Sequence, residues 1–160
     1  MTRGERRVSS AVIDYRDSAP SPEAFAALFA TTGWDPEGHL DGPAAAEALR
    51  HSWFDVSAWD GDRLVGMGRI VGDGVLHALL ADIVVDPAYR GRGIGSRIVG
   101  RLADECRRHR ISDVQLFCAR GKRGFYERLG FTARSDDAPG MELLPDTAEL
   151  AKPAEGPTRP

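Results

Sequence analysis

The chain has 160 residues, of which 42% are hydrophobic and 28% are charged, and its formal net charge is −3 at pH 7. This length suits one globular domain with a buried core, and the slightly acidic balance disfavours a general nucleic-acid-binding protein. The sequence shows no apolar run long enough to span a membrane and no signal-peptide pattern near its N-terminus. We therefore predict a cytoplasmic protein with no nucleic-acid or membrane partner, whose Cys106 and Cys118 are reduced, buried thiols.

The first half of the chain predicts two helices between a first strand and a β-hairpin. Ser21 is a good N-cap and Pro22 suits the first position of a helix, so a helix is expected to begin there and to end at Gly33. Gly66 and Gly68, in the middle of the returning hairpin strand, predict close packing or a bulge. In chain order we expect a strand at residues 8–15, helices at 22–33 and 43–50, and hairpin strands at 53–59 and 64–71.

The second half predicts one strand–helix–strand unit with parallel strands. Its helix carries one apolar stripe, formed by Ile94, Ile98, Leu102 and Cys106. The next strand, residues 114–118, is a nearly continuous apolar run, which is typical of an inner parallel strand. We expect strands at 75–85 and 114–118, helices at 93–110 and 122–129, and a final hairpin at 131–134 and 140–144. A single domain would then span residues 1–144, and a flexible tail would follow at 145–160.

A glycine-rich loop joins the strand that contains Ile83, Val84 and Val85 to the long helix. Its glycines let backbone N–H groups turn inward, and the helix N-terminus adds partial positive charge, so a phosphate-bearing ligand is expected. Ser96 stands where a dinucleotide-binding motif would have its third glycine, and Arg101 stands where a P-loop would have lysine. Neither of those two nucleotide-binding motifs is therefore matched.

The pattern that the loop does match is R-x-x-G-x-G, formed by Arg90, Gly93 and Gly95. Residues 124–131 read G-F-Y-E-R-L-G-F and are similar to F-Y-x-x-x-G-F. Two such motifs, in this order and separated by one helix and one strand, resemble the acyl-CoA-binding elements of the GNAT superfamily of N-acyltransferases. Residues 68–74, G-R-I-V-G-D-G, make the chain look most similar to small bacterial acetyltransferases and to arylalkylamine-type members.

The resemblance implies an α/β fold in which helices flank a mixed sheet, mostly antiparallel, with a central parallel βαβ unit. It also implies acetyl-CoA as the acetyl donor and no metal. The backbone of Ile83, Val84 and Val85 would pair with the pantetheine arm. The pyrophosphate would be held by Arg90, Gly91, Arg92, Gly93, Ile94, Gly95 and Ser96. The segment that follows the first strand, with its two helices, would cover the acceptor.

The implied reaction is direct attack of a primary amine on the thioester of acetyl-CoA in a ternary complex. A backbone N–H at the end of the cofactor strand would stabilise the oxyanion, and Tyr126 would protonate the leaving thiolate. Asp82 is the first candidate for the base and His77 the second. Each has a structural alternative: Tyr126 as a packed aromatic ring, Asp82 as a hydrogen-bond acceptor, and His77 as a surface residue. Asp82 and Ile83 point to opposite sides of a regular strand, so a bulge there would change which of them faces the cleft.

The acceptor is left open between a small-molecule amine and a protein or peptide amine. An apolar pocket for an arylalkylamine would be lined by Trp34, Trp53 and Phe54. A polyamine or a protein lysine would be attracted by Asp35, Glu37 and Asp41. Residues 119–123 hold three basic side chains where many family members have a cofactor-touching asparagine, and these would meet a CoA phosphate. The alternative function is a non-catalytic acyl-CoA-binding sensor or regulatory module on the same fold, and the resemblance also allows a homodimer.

Overall fold

A computed structural model describes residues 12–143, and these fall into two compact units, residues 12–116 and residues 117–143. The elements of the first unit are β1 (Asp14–Arg16), α1 (Pro22–Ala30), α2 (Gly42–Arg50), β2 (Phe54–Asp60), β3 (Arg63–Gly72), β4 (His77–Val85), a 3₁₀ turn (Pro87–Tyr89), α3 (Ile94–Arg108) and β5 (Asp113–Leu116). The second unit contains one short helix, α4 (Arg123–Glu127). No helix among the described residues is long and apolar enough to cross a membrane, and the cytoplasmic location stays a prediction.

The two N-terminal helices begin where their capping residues predict. The Ser21 hydroxyl accepts a hydrogen bond from the backbone N–H of the third residue after it at 3.2 Å, and the Asp41 carboxylate does the same for α2 at 2.9 Å. The predicted end of α1 at Gly33 is wrong, because the helix ends at Ala30. Thr31 and Thr32 donate their hydroxyls to carbonyls of the last turn at 2.7 Å, which satisfies those acceptors before the glycine is reached.

The sheet has five strands in the order β1-β2-β3-β4-β5, so each strand lies beside its neighbours in the sequence. The first four strands are antiparallel, and β5 runs parallel to β4 after the α3 crossover. The mixed sheet and its βαβ unit are therefore confirmed, although β5 is an edge strand among the described residues and not a central one. The first strand is shorter than predicted; of the predicted span, residues 8–11 lie outside the described part.

Two predictions for the end of the chain are wrong. Residues 131–143 contain no strand, and residues 132–143 are all exposed, so they have no apolar face to bury as a hairpin. Cys118 lies beyond the end of β5 and is exposed, whereas Cys106 is buried as expected. The proposed tail at 145–160 lies outside the described residues.

One face of the sheet packs against α1 and α2. Phe25 and Leu28 of α1, and Leu49 of α2, form a buried cluster with Met67 of β3 and Val84 of β4. Each of these side chains is at most 9% exposed. The cluster fixes the two helices on the same face of the sheet as Met67, with α2 ending beside β3.

The other face of the sheet packs against α3 through the predicted apolar stripe. Ile94, Ile98, Leu102 and Cys106 are all 2% exposed or less. A Cβ atom on Gly68 would lie 2.8 Å from Ile98 and 2.9 Å from Leu102, so the absence of a side chain is what lets α3 approach β3. The sequence predicted this close packing, and it is confirmed.

A bulge is also present, but it lies in β4, opposite the same glycine, and not in the strand that carries the glycines. Met67 pairs with Val84, and Arg69 pairs with Ala81. Two residues of β4, Asp82 and Ile83, therefore lie opposite one residue of β3, Gly68. Asp82 has a left-handed backbone conformation, with φ +50°. The bulge reverses the normal alternation of β4 just before the strand enters the glycine loop.

We expect Gly68→Ala to destabilise the protein by about 1–3 kcal/mol, because the added methyl must displace three packed side-chain ends, the nearest 2.7 Å away on Ile83. Gly100→Ala is the matched control: this helical glycine has no atom within 4 Å of a built Cβ, and alanine should stabilise the helix by about 0.5–1 kcal/mol. Urea unfolding of both variants measures the two effects. A Gly68→Ala protein as stable as the wild type would contradict the close packing described above.

Candidate active site

The chain leaves β4 through a turn that several contacts hold in place. The backbone N–H of Asp86 donates to the carbonyl of Val65 at 2.9 Å. Its carboxylate accepts from the backbone N–H of Ala88 at 2.9 Å and from the Arg63 guanidinium at 2.6 Å. The Asp86 carboxylate therefore has a structural role: its two hydrogen bonds stabilise the turn that connects β4 to the glycine loop.

The glycine loop has the geometry of an anion site. Gly91 and Gly93 have φ near +78°, and nothing lies within 4 Å of a Cβ built on either of them. Gly93 is the N-cap of α3, and the first N–H of the helical ladder is that of Arg97, which donates to the Gly93 carbonyl at 3.1 Å. The N–H groups of the first turn before it therefore remain outside the helical ladder, at the positive end of the helix.

Both arginines of the loop contact residues that immediately precede the loop in the chain. Arg90 donates from Nε to the Val85 carbonyl at 3.3 Å. The Arg92 guanidinium lies 5.1 Å from the centre of the Tyr89 ring, and the Tyr89 hydroxyl donates to Asp60 at 2.7 Å. Positive charge is thus held beside the loop. All ten residues predicted to bind the cofactor lie on this continuous path from β4 into α3.

Within the first unit, the edge of β4 that leads into this loop has no paired strand. β5 pairs with β4 only as far as Leu80, which lies opposite Leu116. From Ala81 to Val85, β4 continues with β3 as its one paired neighbour. An extended ligand can add here as a strand through main-chain hydrogen bonds.

Because of the bulge, the side chains of Asp82 and Ile83 lie on opposite faces of the sheet. Ile83 points towards α3, where its Cδ1 atom lies near Gly68. Asp82 points to the opposite face, where its Oδ2 atom accepts a hydrogen bond from Nε of Arg69 at 2.5 Å. The same guanidinium donates from Nη1 to the carbonyl of Ala48, near the end of α2, at 2.8 Å. Asp82 therefore lies on the side of the sheet that α2 covers.

Arg69, the second residue of the G-R-I-V-G-D-G stretch, is the candidate site residue that the sequence alone does not single out. A signal was available: it follows Gly68, and side chains alternate along a strand, so it must face away from α3. Asp55 of β2 is its cross-strand partner. In the described part of the chain, Oδ1 of Asp55 is buried without a hydrogen-bond partner. Burial raises the pKa of this carboxyl, while the Ser52 hydroxyl and the charge of Arg69 act against that rise.

His77, the second candidate for the base, lies at the opposite end of β4. It begins the strand, five positions before Asp82, which corresponds to roughly 15 Å at the usual rise of a strand. Its side chain is 67% exposed, and Nδ1 lies 2.8 Å from the Asp113 carboxylate. The structure does not bring His77 to the bulge.

Tyr126 belongs to the second unit and is described there by itself. Its ring makes edge-to-face contacts with Phe125 and Phe131, with centroid distances of 4.9 and 6.1 Å. Burial, and to a smaller degree the nearby Cys118, raise the pKa of the phenol, so it stays protonated at neutral pH. The packing and acid roles proposed for this residue are compatible with each other.

The side chains considered for the acceptor do not form one cluster. Trp34 packs against Phe29 of α1 at 5.8 Å, whereas Trp53 packs against His109 at the end of α3 at 5.1 Å. Two of the three acidic residues serve the local structure. Asp41 caps α2, and the Asp35 carboxylate accepts a hydrogen bond from the backbone N–H of Leu40 at 2.7 Å. Both carboxylates therefore already accept hydrogen bonds from backbone N–H groups in the segment that connects α1 to α2.

Known proteins resemble this chain in both sequence and fold. The family model described as "Acetyltransferase (GNAT) family" matches residues 14–131. The chain is 37% identical over 98 residues to serotonin N-acetyltransferase 2, chloroplastic, of Oryza sativa subsp. japonica. The matched region covers 59% of this chain and 49% of that protein. It is 33% identical over 84 residues to histone acetyltransferase TAP1 of Glycine max, covering 52% of this chain and 34% of that protein.

Among solved structures, the fold is similar to that of SA2161 from meticillin-resistant Staphylococcus aureus, a protein of unknown function described as a probable acetyltransferase. The TM-score is 0.73 with 28% sequence identity, over 83% of this chain and 99% of that one. The chain spans about half the length, or less, of the curated relatives named above. Since the family model spans most of the chain, including both the glycine loop and the helix that carries Tyr126, the protein belongs to the GNAT acetyltransferase family.

Proposed function

We propose that the protein is an N-acetyltransferase that moves the acetyl group of acetyl-CoA to a primary amine by direct attack in a ternary complex. The observation that carries the proposal is the open edge of β4, which leads directly into the unpaired N–H groups of the α3 N-terminus. The open edge suits the extended pantetheine arm, and the loop with Arg90 and Arg92 suits the pyrophosphate. Family membership supports acetyl-CoA as the donor.

The chemistry requires a stabilised oxyanion and a path for two protons. The amine nitrogen forms a bond to the thioester carbonyl carbon, and the C–S bond then breaks to release the CoA thiolate. A backbone N–H near Val84 or Val85, where β4 loses its neighbour, would stabilise the oxyanion. The Tyr126 phenol would give its proton to the thiolate, and Asp82, or a water beside it, would take the proton of the amine.

The proposed acceptor is a primary amine, carried either by a small molecule or by a protein or peptide. The relatives are named for serotonin and for histones, so their names do not agree on one acceptor. Asp35 and Asp41 are engaged in capping and loop hydrogen bonds, which weakens the case for polyamine capture by that segment. The amine panel used in the experiments below therefore includes an arylalkylamine, a polyamine and a lysine peptide.

We expect Gly93→Asp to weaken acetyl-CoA binding by at least about 100-fold, because it places a carboxylate at a phosphate site on the helix N-terminus. Isothermal calorimetry measures the binding. Gly33→Asp is the matched control: this residue has φ +70° and the same open surroundings, and it lies after α1, away from the loop. The control should bind acetyl-CoA with an affinity within about twofold of the wild type.

A thiol-release assay with the amine panel completes this test. Release of CoA only when an amine is present supports the transferase. Binding without release for any amine favours the sensor reading, and no binding to the wild type contradicts the donor site. Equal losses in the two aspartate variants would point to a general effect of the substitution.

We expect Tyr126→Phe to lower kcat by roughly 100-fold or more and to leave the KM for acetyl-CoA within about twofold, because it removes a proton donor and keeps the packed ring. Tyr15→Phe is the control, since Tyr15 is a partly buried tyrosine that packs beside Arg97 and Arg101 in the first unit. Steady-state kinetics of both variants measure the effect. An unchanged kcat in Tyr126→Phe would assign this residue to packing alone.

A further inference from the structure

We propose that Arg69 is a positioning residue of the transfer reaction, which fixes the Asp82 carboxylate and the end of α2 in one arrangement at the β4 bulge. This inference rests on the proposed function. In it, Arg69 acts through Asp82 and does not touch the substrate. Its guanidinium takes Oδ2 of that carboxylate and leaves Oδ1 as the oxygen available to an incoming amine.

The geometry shows one side chain joining two separate elements. Arg69 donates to Asp82 of β4 at 2.5 Å, to the Ala48 carbonyl of α2 at 2.8 Å and to the Ser52 hydroxyl at 3.4 Å. Only 16% of its side chain is exposed, and 19% of that of Asp82. A planar guanidinium can make these bonds at once, whereas a lysine ammonium at this position has no fork to spread over them.

The backbone of Asp82 makes the ion pair and the bulge depend on each other. A non-glycine residue with φ +50° is held there at a cost in free energy. Without the bulge, the regular alternation of β4 would change the direction of this side chain relative to Arg69. With it, the carboxylate is held on the α2 face while the side chain of Ile83 lies beside Gly68 on the α3 face.

The charges around Arg69 indicate which state of the acceptor this site prefers. Two carboxylates, Asp82 and Asp55, flank the guanidinium from the strands on either side. The Ser52 hydroxyl accepts from Arg69 and acts to lower the pKa of the Asp55 carboxyl, so it interacts with both groups. One positive charge between two carboxylates leaves negative charge unbalanced when both are ionised. An ammonium group is the ligand chemistry that completes this balance before it gives up its proton.

A purely structural ion pair and a positioning residue give different results in a double-mutant cycle. The four proteins are the wild type, Arg69→Met, Asp82→Asn and the double variant, and asparagine suits the left-handed backbone at position 82. We measure kcat and both KM values with the amine accepted by the wild type, acetyl-CoA affinity by calorimetry, and the melting temperature. Arg101→Met is the control, because Arg101 forms an ion pair of similar length, 2.6 Å, with Asp17 elsewhere in the first unit.

We expect Arg69→Met to lower kcat at least tenfold and to change acetyl-CoA affinity by less than about threefold. In the Asp82→Asn background the same substitution should change kcat by less than about twofold, because Arg69 then has no carboxylate to position. Arg69→Lys should recover part of the lost kcat but not all of it. Arg101→Met should keep kcat within about twofold of the wild type, whatever it does to the melting temperature.

Independent effects that multiply in the double variant, or an unchanged kcat in Arg69→Met, would overturn the inference. If Arg69→Met does not fold, the same cycle with Arg69→Lys decides, because lysine keeps the charge and the aliphatic stem. A wild type that acetylates no amine would contradict the proposed function and this inference together. A wild type that turns over, with a multiplicative cycle, would contradict this inference alone.

Discussion

The close approach of α3 to β3 over Gly68 is the contact on which the rest of the structure depends. Because that glycine has no side chain, Ile98 and Leu102 can press against the sheet, and the N-terminus of α3 comes to lie directly after the end of β4. The glycine loop then spans the gap with two residues in the left-handed region. A larger residue at position 68 would move the helix, and with it the N–H groups that face the proposed donor phosphates.

The same contact divides the candidate site between the two faces of the sheet. The bulge opposite Gly68 sends Ile83 into the α3 packing and Asp82 to the face covered by α2. The proposed donor would lie along the edge of β4 between them, where β5 has already ended at Leu116. One irregularity of two residues would therefore separate the proposed donor edge from the proposed acceptor face, which a regular strand does not do.

The sequence was most informative where local chemistry fixes the structure. Ser21 caps α1 as predicted, and the stripe that begins at Ile94 is buried throughout, because capping and helical periodicity depend on neighbouring residues only. The glycine loop was found for the same reason. The error at Cys118 concerns tertiary context: this residue follows a strand that lies at an edge of the described sheet, so the apolar sequence around it does not lead to burial.

The candidate site was predicted only in part, for a related reason. Motifs run along the chain, so they identified the path from Ile83 to Ser96. They did not reveal that Arg69, thirteen residues before Asp82, binds it across two strands. A bulge depends on how two strands pair, and the sequence of one strand does not specify it. The presence of Gly68 allowed a bulge, and the pairing of β3 with β4 decided its place.

Two carboxyl groups near β3, one in the turn that follows it and one on the neighbouring strand β2, respond to acid in opposite ways. Asp73, in the turn after β3, accepts three backbone N–H groups, which hold its pKa at about 2, so its contribution to stability is lost as the pH falls from about 4 to about 2. Asp55, beside Arg69, has its pKa raised by burial, so its ionisation opposes folding as the pH rises above 3.8. Asp55 therefore takes up its proton at a higher pH than Asp73 does, so mild acid relieves the buried charge beside Arg69 before the β3–β4 turn loses the stabilising charge of Asp73.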